Sequence, residues 1–295
     1  MTTLLTRRFL VLSLALLGLQ TKLGSAETPS LDEIVAEQYP PSDKPSSSPH
    51  YTCSDNKSWA IVSTSLSDPD KQKEYDRFMN VCREAAGDRA YDTCDAEEAQ
   101  RMRMNQFQPR SMRNYTAKGF TKTRAPEEVI SLIKEFWEEN KDEASVEWQI
   151  PTTYHNNWEV PPTILRVDDR KLKGGGKQLQ AMISNAARDF MEDWTGQRLA
   201  SSSVYGIRIY HRGSILTPHT DRLPLVSSAI INVAQDCDED NPWPLEVYDH
   251  DGVAHNVSME PGDMVLYESH SVIHGRPFKS HCDFYANVFI RTCPP

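Results

Sequence analysis

From Tyr205 to Arg291 apolar and polar residues follow one another in short segments with a period near two, the signature of strands. Tyr205-Gly-Ile-Arg-Ile-Tyr210 alternates, Gly213 supplies a turn, and Ile215 to Pro218 is again extended. Val226 to Val233 is almost continuously apolar, as a buried strand is, and Leu245 to Tyr248 returns to alternation. Asp249-His-Asp-Gly252 and Pro261-Gly-Asp263 are turn chemistry before Ala254 to Met259 and Met264 to Tyr267, and Phe284 to Arg291 forms a last strand. Short strands with regular turns and no helical spacing among them predict a double-sheet jelly roll or small barrel.

Upstream the period lengthens. Tyr75, Phe78, Met79 and Cys82 lie at i, i+3, i+4 and i+7 and give one apolar face to a helical segment between Ser67 and about Met104. Pro126-Glu127-Glu128 opens a second helix, with proline in the first turn and acids at the positive end, and Val129, Leu132, Ile133, Phe136 and Trp137 form its buried side. After Gly174-Gly-Gly176, a linker or hinge, a third helix runs from about Lys177 to Trp194 with Leu179, Met182, Ile183, Ala186 and Phe190 on one side. The predicted class is α+β: a jelly-roll core over 205–291, helical support over 115–204, and a small helical, cysteine-containing region over 51–114.

Arg7-Arg8, the apolar run Phe9 to Leu19 and Gly24-Ser-Ala26 make the three parts of a secretory signal peptide ending near residue 26. The run is shorter than the roughly 20 residues that span a bilayer. Residues 27–50, rich in Pro and Ser and poor in apolar side chains, read as a disordered linker. Secretory entry, to the endoplasmic reticulum lumen or beyond, suits the acceptor triplets at Asn56, Asn114 and Asn256 and the even count of 6 cysteines. Cys282 and Cys293 flank the last strand and are too far apart to pair, so Cys237 is the better partner for one of them, and Cys53, Cys82 and Cys94 form a separate group. A net charge of −10 argues against nucleic acid and against an anionic membrane surface as partners. The acidic run Asp236, Asp238, Glu239, Asp240 lacks calcium-loop spacing and reads as a solvated loop.

The candidate chemistry lies among the strands. His219 and Asp221, at i and i+2 on an extended segment, point the same way and can reach one ion together. With His274 from a distant strand they make two imidazoles and one carboxylate, the facial set that binds non-haem Fe(II) and leaves positions open. A second pair, His281 and Asp283, has no later histidine to complete such a set.

Over 205–291 these residues resemble the 2-oxoglutarate and Fe(II)-dependent dioxygenases, most closely the prolyl 4-hydroxylase-like group. The resemblance rests on Tyr210-x-x-Gly213, Pro218-His219-Thr220-Asp221, Pro261-Gly262-Asp263 before an apolar strand, and Ser271-Val-Ile-His274-Gly-Arg-Pro277. It implies Fe(II) on His219, Asp221 and His274, with 2-oxoglutarate as co-substrate, ascorbate as an optional reductant, and hydroxylation of a peptidyl, prolyl, substrate. His274 is preferred to His270 because the family places its ligand directly before the Gly-x-Pro turn. Members of the family carry Arg or Lys nine or ten residues after that histidine, to pair with the far carboxylate of the co-substrate. Here those positions hold Asp283 and Phe284, and the replacements are Arg276, Lys279 and Arg208, with Tyr210 beside them and Arg291 on the last strand. Arg222, Trp243 and Tyr248 are candidates for the substrate side of the pocket. A non-catalytic jelly-roll binding module and a same-fold oxygenase of small molecules are the alternatives.

Overall fold

The computed structural model describes residues 69–147, 153–238 and 241–295. The signal peptide, the linker, Cys53, the Asn56 acceptor and part of the acidic loop lie outside the described residues. Among the described residues no helix is long and apolar enough to cross a membrane.

Antiparallel strands and four helices make up the rest. One sheet has seven strands in the order β1 (Phe120–Arg124), β9 (Asp263–Tyr267), β6 (Ser227–Asp236), β11 (Phe284–Cys293), β4 (Ala200–His211), β3 (Thr163–Leu165), β2 (Ser145–Val146). The other has four, in the order β5 (Leu216–His219), β10 (His274–Arg276), β7 (Leu245–Tyr248), β8 (Ala254–Val257). From β4 to β11 the chain passes back and forth between the sheets, so residues distant in sequence become neighbours. The predicted strands match these elements, and β1, β2 and β3 extend the larger sheet.

The period of two sorts the larger sheet's side chains. Ile207, Ile209, Ala229, Ile231, Val233, Ala286, Val288 and Ile290 face outward into an aliphatic core with α3 (Glu127–Asn140) and α4 (Lys177–Thr195). Inward, Tyr210, Ile230, Tyr285 and Phe289 meet Leu245 and Val247 of the smaller sheet and Trp243 just before β7. Helix α3 carries the acids Glu127 and Glu128 in its first turn, and α4 ends where Gly196 adopts φ 64°, the left-handed stop that a side chain would oppose.

The predicted N-terminal helix is two helices. Helix α1 (Pro69–Ala86) buries Tyr75, Phe78, Met79 and Cys82 as their spacing predicts, and after short 3-10 and π turns α2 (Ala96–Ser111) follows. A disulfide, Cys82–Cys94, joins α1 to the turn before α2, and Cys237–Cys282 ties the acidic loop to the start of the last strand. The buried face of α2 is polar: Glu98, Arg101, Asn105 and Gln108 are all enclosed.

Candidate metal centre

The two sheet strands that carry the histidines lie side by side, with His274 directly opposite His219 in the β10–β5 register. Gly275 permits that approach, because a Cβ there would stand 2.8 Å from the Cα of Pro218. Asp221 lies two residues beyond β5, its N–H donating to Ser269 O at 2.7 Å. One ligand atom from each of His219, Asp221 and His274 falls within 4.8 Å of the others, and all three residues are buried.

Each imidazole is already oriented. Nδ1 of His219 is 2.8 Å from Thr217 O and Nδ1 of His274 is 3.1 Å from Val272 O. A backbone carbonyl fixes the proton on Nδ1 and leaves Nε2 as the free lone pair, the tautomer that a metal needs. Burial first, and then the neighbouring His274, hold His219 well below the ordinary imidazole pKa; burial likewise lowers His274. For Asp221 burial alone would raise the pKa, but Arg291 first, and a hydrogen bond from Ser269, favour the carboxylate and hold its pKa below the usual value. Two neutral nitrogens and one carboxylate are the donor set that a divalent first-row metal takes.

Around the triad stand Tyr154 and Tyr267, which the sequence pattern did not single out, and Arg291, which it offered as a candidate cation. The ring of Tyr154 stacks on His219 at 4.7 Å, and Tyr267 lies 4.4 Å from His274. Nε of Arg291 is buried, without a hydrogen-bond partner, 3.8 Å from Oδ2 of Asp221. Neither tyrosine carries a motif; only the inward phase of Tyr267 on its strand could have pointed to it.

The predicted cations separate sharply. Arg276 is fully enclosed between the rings of Trp243 and Tyr285, at 5.0 and 4.9 Å. Its Nε donates to Trp243 O at 3.3 Å, Nη1 has no partner, and among the described residues no carboxylate lies within ion-pair distance. Arg208 is also buried, but its guanidinium meets Glu147 through two bonds of 2.6 and 2.7 Å, so its charge is already matched; this corrects its reading as a spare cation. Lys279 is half-exposed, 3.9 Å from Glu159, and is not a buried clamp. Tyr210 is fully enclosed, its hydroxyl 3.3 Å from Arg208 Nη1 and its ring edge-on to Trp243 at 5.2 Å.

Of the substrate-side candidates, Arg222 is half-exposed, 3.2 Å from Glu97 and 5.6 Å above the Tyr154 ring, beside the triad. Trp243 is buried and donates its indole N–H to Phe278 O at 2.7 Å, which makes it a wall under Arg276. Tyr248 packs with Ile273 and Ala254, apart from the aromatic cluster around Tyr210 and Trp243. The other candidate ligand, His270, places its ring nitrogens against Val226 O and Arg113 O, outside the triad.

No family model matches the sequence, and no curated protein does. Among solved structures the fold is similar to a Pseudomonas putida prolyl-4-hydroxylase, with a TM-score of 0.40 and 16% identity over 61% of this chain and 94% of that one. It is also similar to a Trichoplax adhaerens prolyl hydroxylase in complex with a hypoxia-inducible-factor peptide fragment, with a TM-score of 0.44 and 10% identity over 69% and 92%. A third is HygX from Streptomyces hygroscopicus with nickel, 2-oxoglutarate and hygromycin B bound, with a TM-score of 0.42 and 10% identity over 60% and 83%. At such identities the chemistry has to come from the site itself.

Proposed function

We propose that the protein is a metal-dependent oxygenase that uses Fe(II) and 2-oxoglutarate to hydroxylate a peptidyl substrate, with prolyl as the residue class. The observation that carries this reading is the convergence of His219, Asp221 and His274 within one ligand sphere, buried, with both free ring nitrogens available. The order β9-β6-β11-β4 over β5-β10-β7-β8 supports the jelly roll expected for such an enzyme.

Arg276 extends the argument to the co-substrate. An arginine buried without a counter-charge is costly, so its setting is understandable if an anion completes it. It lies two residues beyond His274 on β10, about 6–7 Å further along the strand, which suits the far carboxylate of a five-carbon 2-oxo diacid held at the metal. Arg276 would bind that carboxylate, with the Tyr210 hydroxyl in the same aromatic enclosure, and Trp243 and Tyr285 would exclude water from the ion pair. When loaded, such a centre supplies coupled decarboxylation of 2-oxoglutarate to succinate and oxidation of a substrate C–H bond. Tyr154 and Arg222 border the triad on the exposed side, where a peptide would be positioned.

For the compartment, the two disulfides and the exposed Asn114 and Asn256 side chains support the secretory pathway. The activity is tested by incubating the Fe(II)-loaded protein with 2-oxoglutarate and a library of proline-containing peptides. Succinate release with a gain of one oxygen atom on a peptide is expected, lost in His219→Ala, Asp221→Ala and His274→Ala; equal turnover in the three variants would overturn the reading.

A further inference from the structure

Helix α2 belongs to neither sheet, yet its polar face is directed at the metal-binding segment. Glu98, Arg101, Asn105 and Gln108 recur at helical spacing, and all four are buried. Oε1 and Oε2 of Glu98 match Arg101, and Arg101 Nη1 donates to Pro218 O. Nδ2 of Asn105 donates to the same carbonyl at 2.8 Å, while its Oδ1 accepts from Thr220 N–H at 3.0 Å. Nε2 of Gln108 donates twice, to Asp221 O at 2.6 Å and to His270 O at 2.8 Å.

Those contacts share a destination. Pro218 and Thr220 flank His219, Asp221 is itself a candidate ligand, and His270 lies in the turn that leads to His274. Gln108 therefore spans the two backbone segments that carry the candidate ligands, which are otherwise joined here by Asp221 N–H to Ser269 O. A helix fixed only by packing would present apolar side chains at this spacing; enclosing two carboxamides and an ion pair instead needs partners matched in direction, which both groups of the Asn105 amide and the Gln108 amide nitrogen have, while Gln108 Oε1 is buried without one.

We propose that Asn105 and Gln108, backed by Arg101, are positioning residues for the metal centre: they hold residues 218–221 against the 268–271 turn so that the ligands are arranged before a metal arrives. The proposal rests on the reading of the triad as a metal site. Groups that orient ligands without touching the metal characteristically change affinity about 10- to 100-fold when removed.

The test is titration of the metal-free full chain with Co(II), followed by visible absorption. Gln108→Ala and Gln108→Met, the second close in volume but without a donor, should both weaken Co(II) binding at least about 10-fold and shift the absorption band. Ile133→Ala, which opens a cavity under α3 on the far side of the larger sheet, should lower Tm and leave affinity and spectrum as in the unmodified protein. Unchanged Co(II) affinity and spectrum in both Gln108 variants would overturn the positioning role while leaving the metal site intact. Co(II) binding that His219→Ala does not weaken would overturn the metal reading, and this proposal with it. Should the Gln108 variants fail to fold, hydrogen exchange of the unmodified, metal-free protein decides: amides of Thr220 and Asp221 should be protected, and exchange as fast as in an open loop would refute the proposal.

Discussion

The two faces of the larger sheet are made by the same strands and differ in almost every other respect. Outward, β4, β6 and β11 present Ile207, Ile209, Ala229, Ile231, Val233, Ala286, Val288 and Ile290, an aliphatic surface covered by α3 and α4. Inward, the same strands present Arg208, Tyr210, Ser228, Asn232, Tyr285, Asn287 and Arg291, and several of the buried polar atoms that lack partners lie here: Asn232 Oδ1, Asn287 Nδ2, Arg291 Nε and, from β10, Arg276 Nη1. The first face lowers the free energy of the fold through apolar burial. The second accepts desolvation costs that folding alone does not require, the mark of an interior built around a ligand.

Within that interior Arg208 and Arg276 make the comparison sharpest, since both are buried and, among the described residues, only Arg208 of the two has a carboxylate. Arg208→Met should produce the largest loss of stability, about 3–5 kcal/mol by denaturant unfolding, because Glu147 is left buried without the guanidinium that matches its charge. Adding Glu147→Gln should recover much of that loss; a single variant as stable as the unmodified protein would show that the pair contributes nothing.

Arg276→Met should behave in the opposite sense. Removing a buried charge with no counter-charge leaves unfolding free energy equal or higher, while affinity for 2-oxoglutarate, measured calorimetrically with Co(II) at the site, falls about 100-fold, or about 2.7 kcal/mol. A variant that loses stability and keeps its affinity would make Arg276 a structural residue and return the search for the clamp to Arg291. The aliphatic face supplies the control: Ile231→Val should cost about 0.5–1.5 kcal/mol in stability and leave 2-oxoglutarate affinity unchanged.

The same contrast explains what could be read from the chain. Alternation placed β4 and β7, a nearly continuous apolar run placed β6, turn chemistry marked the start of β9, and the His219-x-Asp221 pair with His274 was visible because strand geometry converts an i, i+2 spacing into a shared direction. The apolar faces of α1 and α3 followed from their periodicity; on α4 the buried side is Ile183, Ala187 and Met191, so that Met182 and Phe190, expected on the apolar side, are exposed. The polar face of α2 did not, because Glu98, Arg101, Asn105 and Gln108 at helical spacing look like a solvated surface until the sheet strands that cover them are known. Nor could Arg208 be separated from Arg276, since the difference lies in Glu147, 61 residues before Arg208 and just past a two-residue edge strand.

The smallest effect concerns His155, buried beside the smaller sheet and bridged to Leu216. Burial, and secondarily Arg208, hold its pKa well below the ordinary imidazole value of 6.5. The folded protein therefore keeps His155 neutral while the unfolded chain takes up a proton as pH falls through about 6.5. Its contribution to stability is complete above that pH and diminishes below it. Tm of the metal-free protein should decline from pH 7 to pH 5, and His155→Gln should make the decline shallower. The triad histidines add to the same slope, so the informative quantity is the difference between the two curves, measured also in His274→Ala, where one of those contributions is gone. Parallel curves for the unmodified protein and His155→Gln would mean that His155 is protonated in the folded state, and that the interior around Arg208 tolerates a second positive charge.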